Sequence, residues 1–300
     1  MIDLSQKFIQ FKLWENCSVL CKFCYLQNRA ISNFEERKSR LKKAKDLLKE
    51  VASSYQRFGL IGGEFFTGEL AGLEKEWFEL IAAINNCKFD QVTIATSLLQ
   101  KDSSLILKTA DLLKDSHFIV CTSYDSEGRF KNEEEKNRWI KNKNELLNKG
   151  IEVNVTLIPT KATLNLLDSP AGSDLACSCM NFVNPELVFQ DTINCDRNSY
   201  HEFFCEKNKF FTLPTRREFL DFLSRHPDIL KNYARYKGMH SSIVVDFDHP
   251  FIQEHDRYNI NDDFFLDPSK CGHKFTSRWY PDSDKCSECD AEALFASLNQ

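Results

Sequence analysis

The sequence predicts an α/β protein: a partial (β/α)6, TIM-like barrel of parallel strands followed by a C-terminal extension. Three observations carry this. Short β-branched or apolar runs alternate with longer stretches of helical periodicity five or six times, the order that right-handed crossovers turn into one parallel sheet. The chemically distinctive residues fall directly after strands, where such barrels place their working face. At 300 residues, 42% hydrophobic and with 25 phenylalanines, the chain can bury a large core and still carry an appendage.

In order, residues 8–14 (FIQFKLW) alternate and read as a strand running into a cysteine-rich loop. Residues 34–51 carry Leu41, Ala44, Leu47, Leu48 and Val51 at helical spacing, with a basic opposite face that reads as solvated. Strand 58–61 ends in Gly62-Gly63-Glu64, and 72–86 is helix. Strand 90–98, helix 103–114, strand 117–124 and a helix near 133–149 follow. Strand 151–158 (IEVNVTLI) divides cleanly: Ile151, Val153, Val155 and Leu157 on one face, Glu152, Asn154 and Thr156 on the other. That polar face suits the lining of a polar ligand site, or else the open side of an edge strand. Residues 186–190 are a candidate sixth strand, 215–233 read as helices broken at Pro227, and 290–298 as a short helix. The expected division is a barrel over 1–195 and an extension over 196–300.

A net charge of −5 gives no strong nonspecific grip on phosphate backbones. With 10 glycines and 8 prolines there is no long low-complexity tract, and no run of about 18 apolar residues is present to span a membrane. The start, Met-Ile-Asp-Leu-Ser-Gln-Lys, has no apolar signal core, so the clustered spacings among 12 cysteines are expected to be metal sites in a reducing, cytoplasmic setting.

Cys17, Cys21 and Cys24 form a C-x3-C-x2-C run with no fourth ligand beside it. Three thiolates suit a four-iron cluster with one iron left open, whereas structural zinc and ordinary ferredoxin clusters want four ligands. A zinc knuckle completed by a distant residue is the alternative. Gly62-Gly63-Glu64 lets backbone approach a ligand closely and offers a carboxylate to an ammonium group, or is simply a tight turn before a helix.

The cysteine loop after a first strand and Gly-Gly-Glu after a second, spanning about residues 8–160, resemble the radical S-adenosylmethionine (radical SAM) enzymes. The resemblance implies that Cys17, Cys21 and Cys24 hold a [4Fe-4S] cluster whose open iron takes the methionine end of S-adenosylmethionine. Phe23 matches the aromatic position near the adenine, and Gly62, Gly63 and Glu64 meet the cofactor's amine. Thr96, Ser97, Ser123, Asp125 and Asn154 are further candidate contacts, with Asp125 alternatively capping a turn. The implied chemistry is reductive cofactor cleavage and hydrogen abstraction by a 5′-deoxyadenosyl radical, with electrons from an external reductant such as flavodoxin or ferredoxin.

Further on, Cys271, His273, Cys286 and Cys289 supply the ligand set of a closed structural zinc site, with an auxiliary iron–sulfur cluster as the alternative. Cys177, Cys179, Cys195 and Cys205 are a candidate additional site, or small buried residues. Residues 231–237, basic and interleaved with aromatics, suit either base stacking or a solvated helix face. The substrate favoured is a nucleobase in a nucleotide or nucleic acid; a peptide or protein side chain is the second reading. A non-enzymatic metal-binding or electron-transfer module is the third.

Overall fold

The computed structural model describes residues 8–22, 24, 32–175, 177–182, 214–227, 229, 242–247 and 260–261. Strands β1 (Phe8–Lys12), β2 (Arg57–Ile61), β3 (Gln91–Ala95), β4 (His117–Tyr124), β5 (Glu152–Leu157) and β6 (Cys179–Phe182) lie side by side in chain order, all parallel. On the other side of β1 runs a seventh parallel strand, β7 (Ser242–Asp246), followed by the short antiparallel β8 (Ile260–Asn261). Helices α1 (Phe34–Val51), α2 (Glu74–Asn86), α3 (Ser104–Leu112), α4 (Glu133–Asn148) and α5 (Lys161–Leu167) each follow a strand, and α1 packs on α2 and α2 on α3. A sheet wound in one direction with its helices on one side is the partial barrel that the alternation predicted.

The two faces of the sheet differ in chemistry. Toward the helices, Phe11 and Phe58 meet edge-on at 4.9 Å and Phe58 stacks on Phe89 at 5.1 Å. Trp139 of α4 packs on Tyr124 at 5.3 Å and donates its indole N–H to Thr122 Oγ1 at 3.2 Å. The even positions of β4 therefore face the helices, and Cys121 and Ser123 face the barrel interior. Register carries this across: Cys121 pairs with Asn154 and Ser123 with Thr156, while Val153, Val155 and Leu157 are fully buried on the helix side. The expected division of residues 151–158 is the observed one. Strands on both sides of β5 remove the edge-strand alternative.

The helix starts follow local chemistry. Asn33 and Glu36 form a capping box on α1, and Asn132 accepts from the Glu135 N–H at the start of α4. Helix α6 (Arg216–Arg225) opens with the Thr215–Glu218 box and ends at His226, just before Pro227.

Three expectations change. The sixth strand is Cys179–Phe182, which reads in sequence as a cysteine-bearing loop; residues 186–190 lie outside the described residues. Helix α5 was not anticipated, although Thr160 caps it by accepting from the Thr163 N–H. Strand β7, from within 196–300, pairs with the whole of β1, so the core sheet draws on both expected spans.

Candidate active site

The loops that follow β1 to β4 gather at one end of the sheet. After β1 the chain runs alongside the segment after β2: Gly63 N donates to Trp14 O at 2.8 Å, Glu64 N to Asn16 O at 2.8 Å, and Trp14 Nε1 to Glu64 O at 2.7 Å. A Cβ on Gly62 would meet Trp14 O at 2.3 Å, and one on Gly63 would meet Asn16 O at 2.0 Å. The glycines are thus required by the approach of the cysteine loop's own backbone, with Gly62 at φ +145°.

Glu64 differs from expectation. It is 1% exposed, and Oε1 accepts from Phe65 N at 2.8 Å, Phe66 N at 2.9 Å and Thr96 Oγ1 at 2.8 Å, while Oε2 accepts from Ser97 N. Its carboxylate is committed to four internal donors, which stitch the β2 and β3 loops together. Thr96 and Ser97 belong to the same knot, a placement that the sequence signals only as small polar residues after a strand.

The cysteine loop itself is closed at its base and braced on two sides. Asn16 Nδ2 donates to Ser32 O and Asn16 Oδ1 accepts from Ser32 N, both at 2.9 Å. On the β2 side, Ser18 N donates to Glu69 Oε1 at 3.1 Å, and Thr67 Oγ1 donates to Glu69 Oε2 at 2.8 Å. On the β4 side, Lys22 N donates to Gly128 O at 2.9 Å. Cys17, Cys21 and Cys24 form no disulfide; Cys21 is 6% exposed and the other two are half-buried. Burial pushes the Cys17 thiol up to about 12, so thiolate ligation there needs a metal to displace the proton. Leu20, between the first two cysteines, takes φ 55° and stands 63% exposed. Phe23 lies outside the described residues.

One residue that sequence reasoning missed reaches this loop. Arg129, 5% exposed, donates through Nη1 to Cys21 Sγ at 3.1 Å and through Nη2 to Ser97 O at 2.8 Å. Among the described residues no three His, Cys, Asp or Glu side chains are gathered as a metal site. The donor chemistry nevertheless fits a cluster: three cysteines outside any disulfide on one loop, with a guanidinium on one of the sulfurs.

Asp125, expected as a cofactor contact or a turn cap, is fully buried in the loop after β4. Its Oδ2 accepts from Glu127 N at 3.1 Å and from Gly128 N, and its Oδ1 from Thr160 Oγ1 at 3.0 Å and Thr163 Oγ1 at 3.3 Å. Burial raises the Asp125 carboxyl above its ordinary range, against the opposing pull of those bonds. A raised carboxyl pKa means that the folded state holds the proton more tightly. This group's stabilising contribution is therefore fully present below the unfolded pKa and falls as pH rises through the folded one. Asp125→Asn should flatten that part of the stability profile, read by urea unfolding as pH rises above the ordinary carboxyl range. An unchanged slope would contradict the assignment.

On the interior wall, Cys121, Asn154 and Cys179 fall in one register row across β4, β5 and β6. Asn154 Oδ1 is buried without a hydrogen-bond partner among the described residues. Burial pushes the Cys121 thiol up to about 12 and the Cys177 thiol up to about 11, and Cys177 Sγ donates to Cys179 O at 3.2 Å. Cys195, Cys205, Cys271, His273, Cys286, Cys289 and the stretch 231–237 lie outside the described residues.

No protein-family model and no curated protein matches the chain. Among solved structures, a tagged anSMEcpe with bound AdoMet is similar to it at 16% identity and a TM-score of 0.44, over 59% of this chain and 49% of that one. Streptococcus suis SuiB is similar at 13% identity and a TM-score of 0.46, over 92% of this chain and 66% of that one. The chain thus spans about half of the first and just under two thirds of the second. No helix among the described residues is long and apolar enough to cross a membrane.

Proposed function

We propose that the protein is a radical SAM enzyme, a reading carried by one observation. The C-x3-C-x2-C loop is anchored at the C-terminal end of a parallel barrel's strands, and a buried guanidinium lies on its middle cysteine. Cys17, Cys21 and Cys24 would hold a [4Fe-4S] cluster, leaving one iron for S-adenosylmethionine. The chemistry supplied there is one-electron cleavage of the cofactor's carbon–sulfur bond and hydrogen abstraction from a substrate, with the electron drawn from a reductant such as flavodoxin or ferredoxin.

The chain's own residues divide the work. Glu64, Gly62 and Gly63 seat the cysteine loop on the β2 and β3 ends; Asp125 shapes the loop that carries Arg129. Ser123, Thr156 and Asn154 would line the chamber beneath with neutral hydrogen-bonding groups. Asn154 Oδ1, without a hydrogen-bond partner among the described residues, suits an N–H donor, in keeping with a nucleobase in a nucleotide or nucleic acid as substrate. Cys271, His273, Cys286 and Cys289 are assigned to structural zinc on their spacing alone.

Anaerobic reconstitution with iron and sulfide tests the proposal. About four irons per N-terminal site and release of 5′-deoxyadenosine from added S-adenosylmethionine under reductant are expected. Both should be lost together in Cys17→Ala, Cys21→Ala and Cys24→Ala. A chain that binds only zinc and leaves the cofactor intact is instead a metal-binding module.

A further inference from the structure

We propose that Arg129 sets the reduction potential of the cluster, as the fixed positive charge delivered to the Cys21 sulfur; the inference rests on the function proposed above. The two residues are 108 apart in sequence, and the contact is built by the fold rather than by a local turn. Arg129 is 5% exposed, and its hydrogen bonds among the described residues go to a sulfur and a carbonyl, with Nε lacking any acceptor. Glu64 and Asp125, the carboxylates that brace the neighbouring loops, are bonded to other donors.

A buried cation without a carboxylate is costly unless another anion answers it. Among the described residues the group in direct contact that can become an anion is the Cys21 sulfur, once deprotonated and ligated.

The position is also held firmly. Asp125 fixes the Glu127 and Gly128 N–H groups, Gly128 O accepts from Lys22 N beside Cys21, and Ser97 O holds the far side of the guanidinium. Reduction adds one electron to the cluster and removes one from the external reductant. The reduced cluster carries one more negative charge, so a fixed cation at a ligand sulfur favours it over the oxidised form. N–H donation to the sulfur acts in the same direction. Arg129 is a positioning and charge-setting residue for Cys21.

The test is a potentiometric titration of the full-length, anaerobically reconstituted protein, followed by electron paramagnetic resonance of the reduced cluster without added cofactor. In Arg129→Met the reduced-to-oxidised ratio at a fixed potential should fall about tenfold, equal to about 59 mV for one electron. Arg129→Lys, which keeps the charge, should stay closer to the unaltered protein than Arg129→Gln, which keeps N–H donors without it. Equal potentials in all three, at unchanged iron content, would overturn the inference. If the methionine variant fails to load iron, the lysine and glutamine pair decides. A lower potential for glutamine than for lysine supports the charge, and equality refutes it. Failure of the unaltered chain to assemble any cluster would overturn the proposed function instead.

Discussion

Gly63→Ala should unseat the cysteine loop. The new Cβ would stand 2.0 Å from Asn16 O, a backbone atom that cannot swing aside like a side chain. Relief requires separating residues 14–16 from 62–64, which stretches the Gly63 N–Trp14 O and Glu64 N–Asn16 O hydrogen bonds. Overpacking and the two weakened bonds together should cost roughly 3–5 kcal/mol. That corresponds to a fall in melting temperature of about 10 °C. Gly68→Ala is the control. Gly68 has φ +126° but nothing within 4 Å of a new Cβ, so only local strain of about 1–2 kcal/mol is expected. Equal losses at the two positions would show that approach of the cysteine loop is not what the glycine serves.

Glu64→Ala should be as damaging by a different route. Removing the carboxylate leaves the Phe65, Phe66 and Ser97 N–H groups and the Thr96 hydroxyl without their acceptor, in a place where the replaced side chain was 1% exposed. Orphaned buried donors cost about 1–3 kcal/mol each, and partial entry of water brings the expected total to roughly 4 kcal/mol. Glu64→Gln retains one acceptor oxygen but turns an amide toward donors, and should lose about half as much. Chemical denaturation of the three proteins orders them. A glutamine variant as stable as the unaltered chain would mean that the charge is not needed to hold the β2 and β3 loops.

Much of the fold was legible because it depends on local pattern. The alternation of β-branched runs with amphipathic stretches placed β1 to β5 and α1 to α4 within a few residues, and the polar face of 151–158 was assigned correctly to one side. The short β6 escaped because Cys-Met-Asn-Phe carries little strand signal by itself; pairing with β5 makes it a strand. In the site, the cysteine spacing and the Gly-Gly-Glu turn could be read, but what they touch could not. The partner of the glycines is the backbone of Trp14 and Asn16, and that of Glu64 is a loop 33 residues away. Arg129 was the least legible. It stands in the polar run Asp-Ser-Glu-Gly-Arg, and nothing in that run distinguishes an arginine facing water from one aimed at a sulfur. The alternative reading of Asp125 as a turn cap fits its acceptance from the Glu127 and Gly128 N–H groups.

The neck formed by Asn16 and Ser32 has a consequence for communication across the molecule. With both ends of the loop pinned to each other, the base is also tied to α1, whose Arg37 Nη1 donates to Ser32 O at 3.2 Å. Among the described residues, lateral contacts leave the loop on both sides. The one through Glu69 ends in the β2 loop, and the one through Gly128 and Arg129 ends where β4 turns away from the interior wall. It follows that the loop's charge and occupancy are felt by the β2 and β4 loops as well as by the chain that bears it.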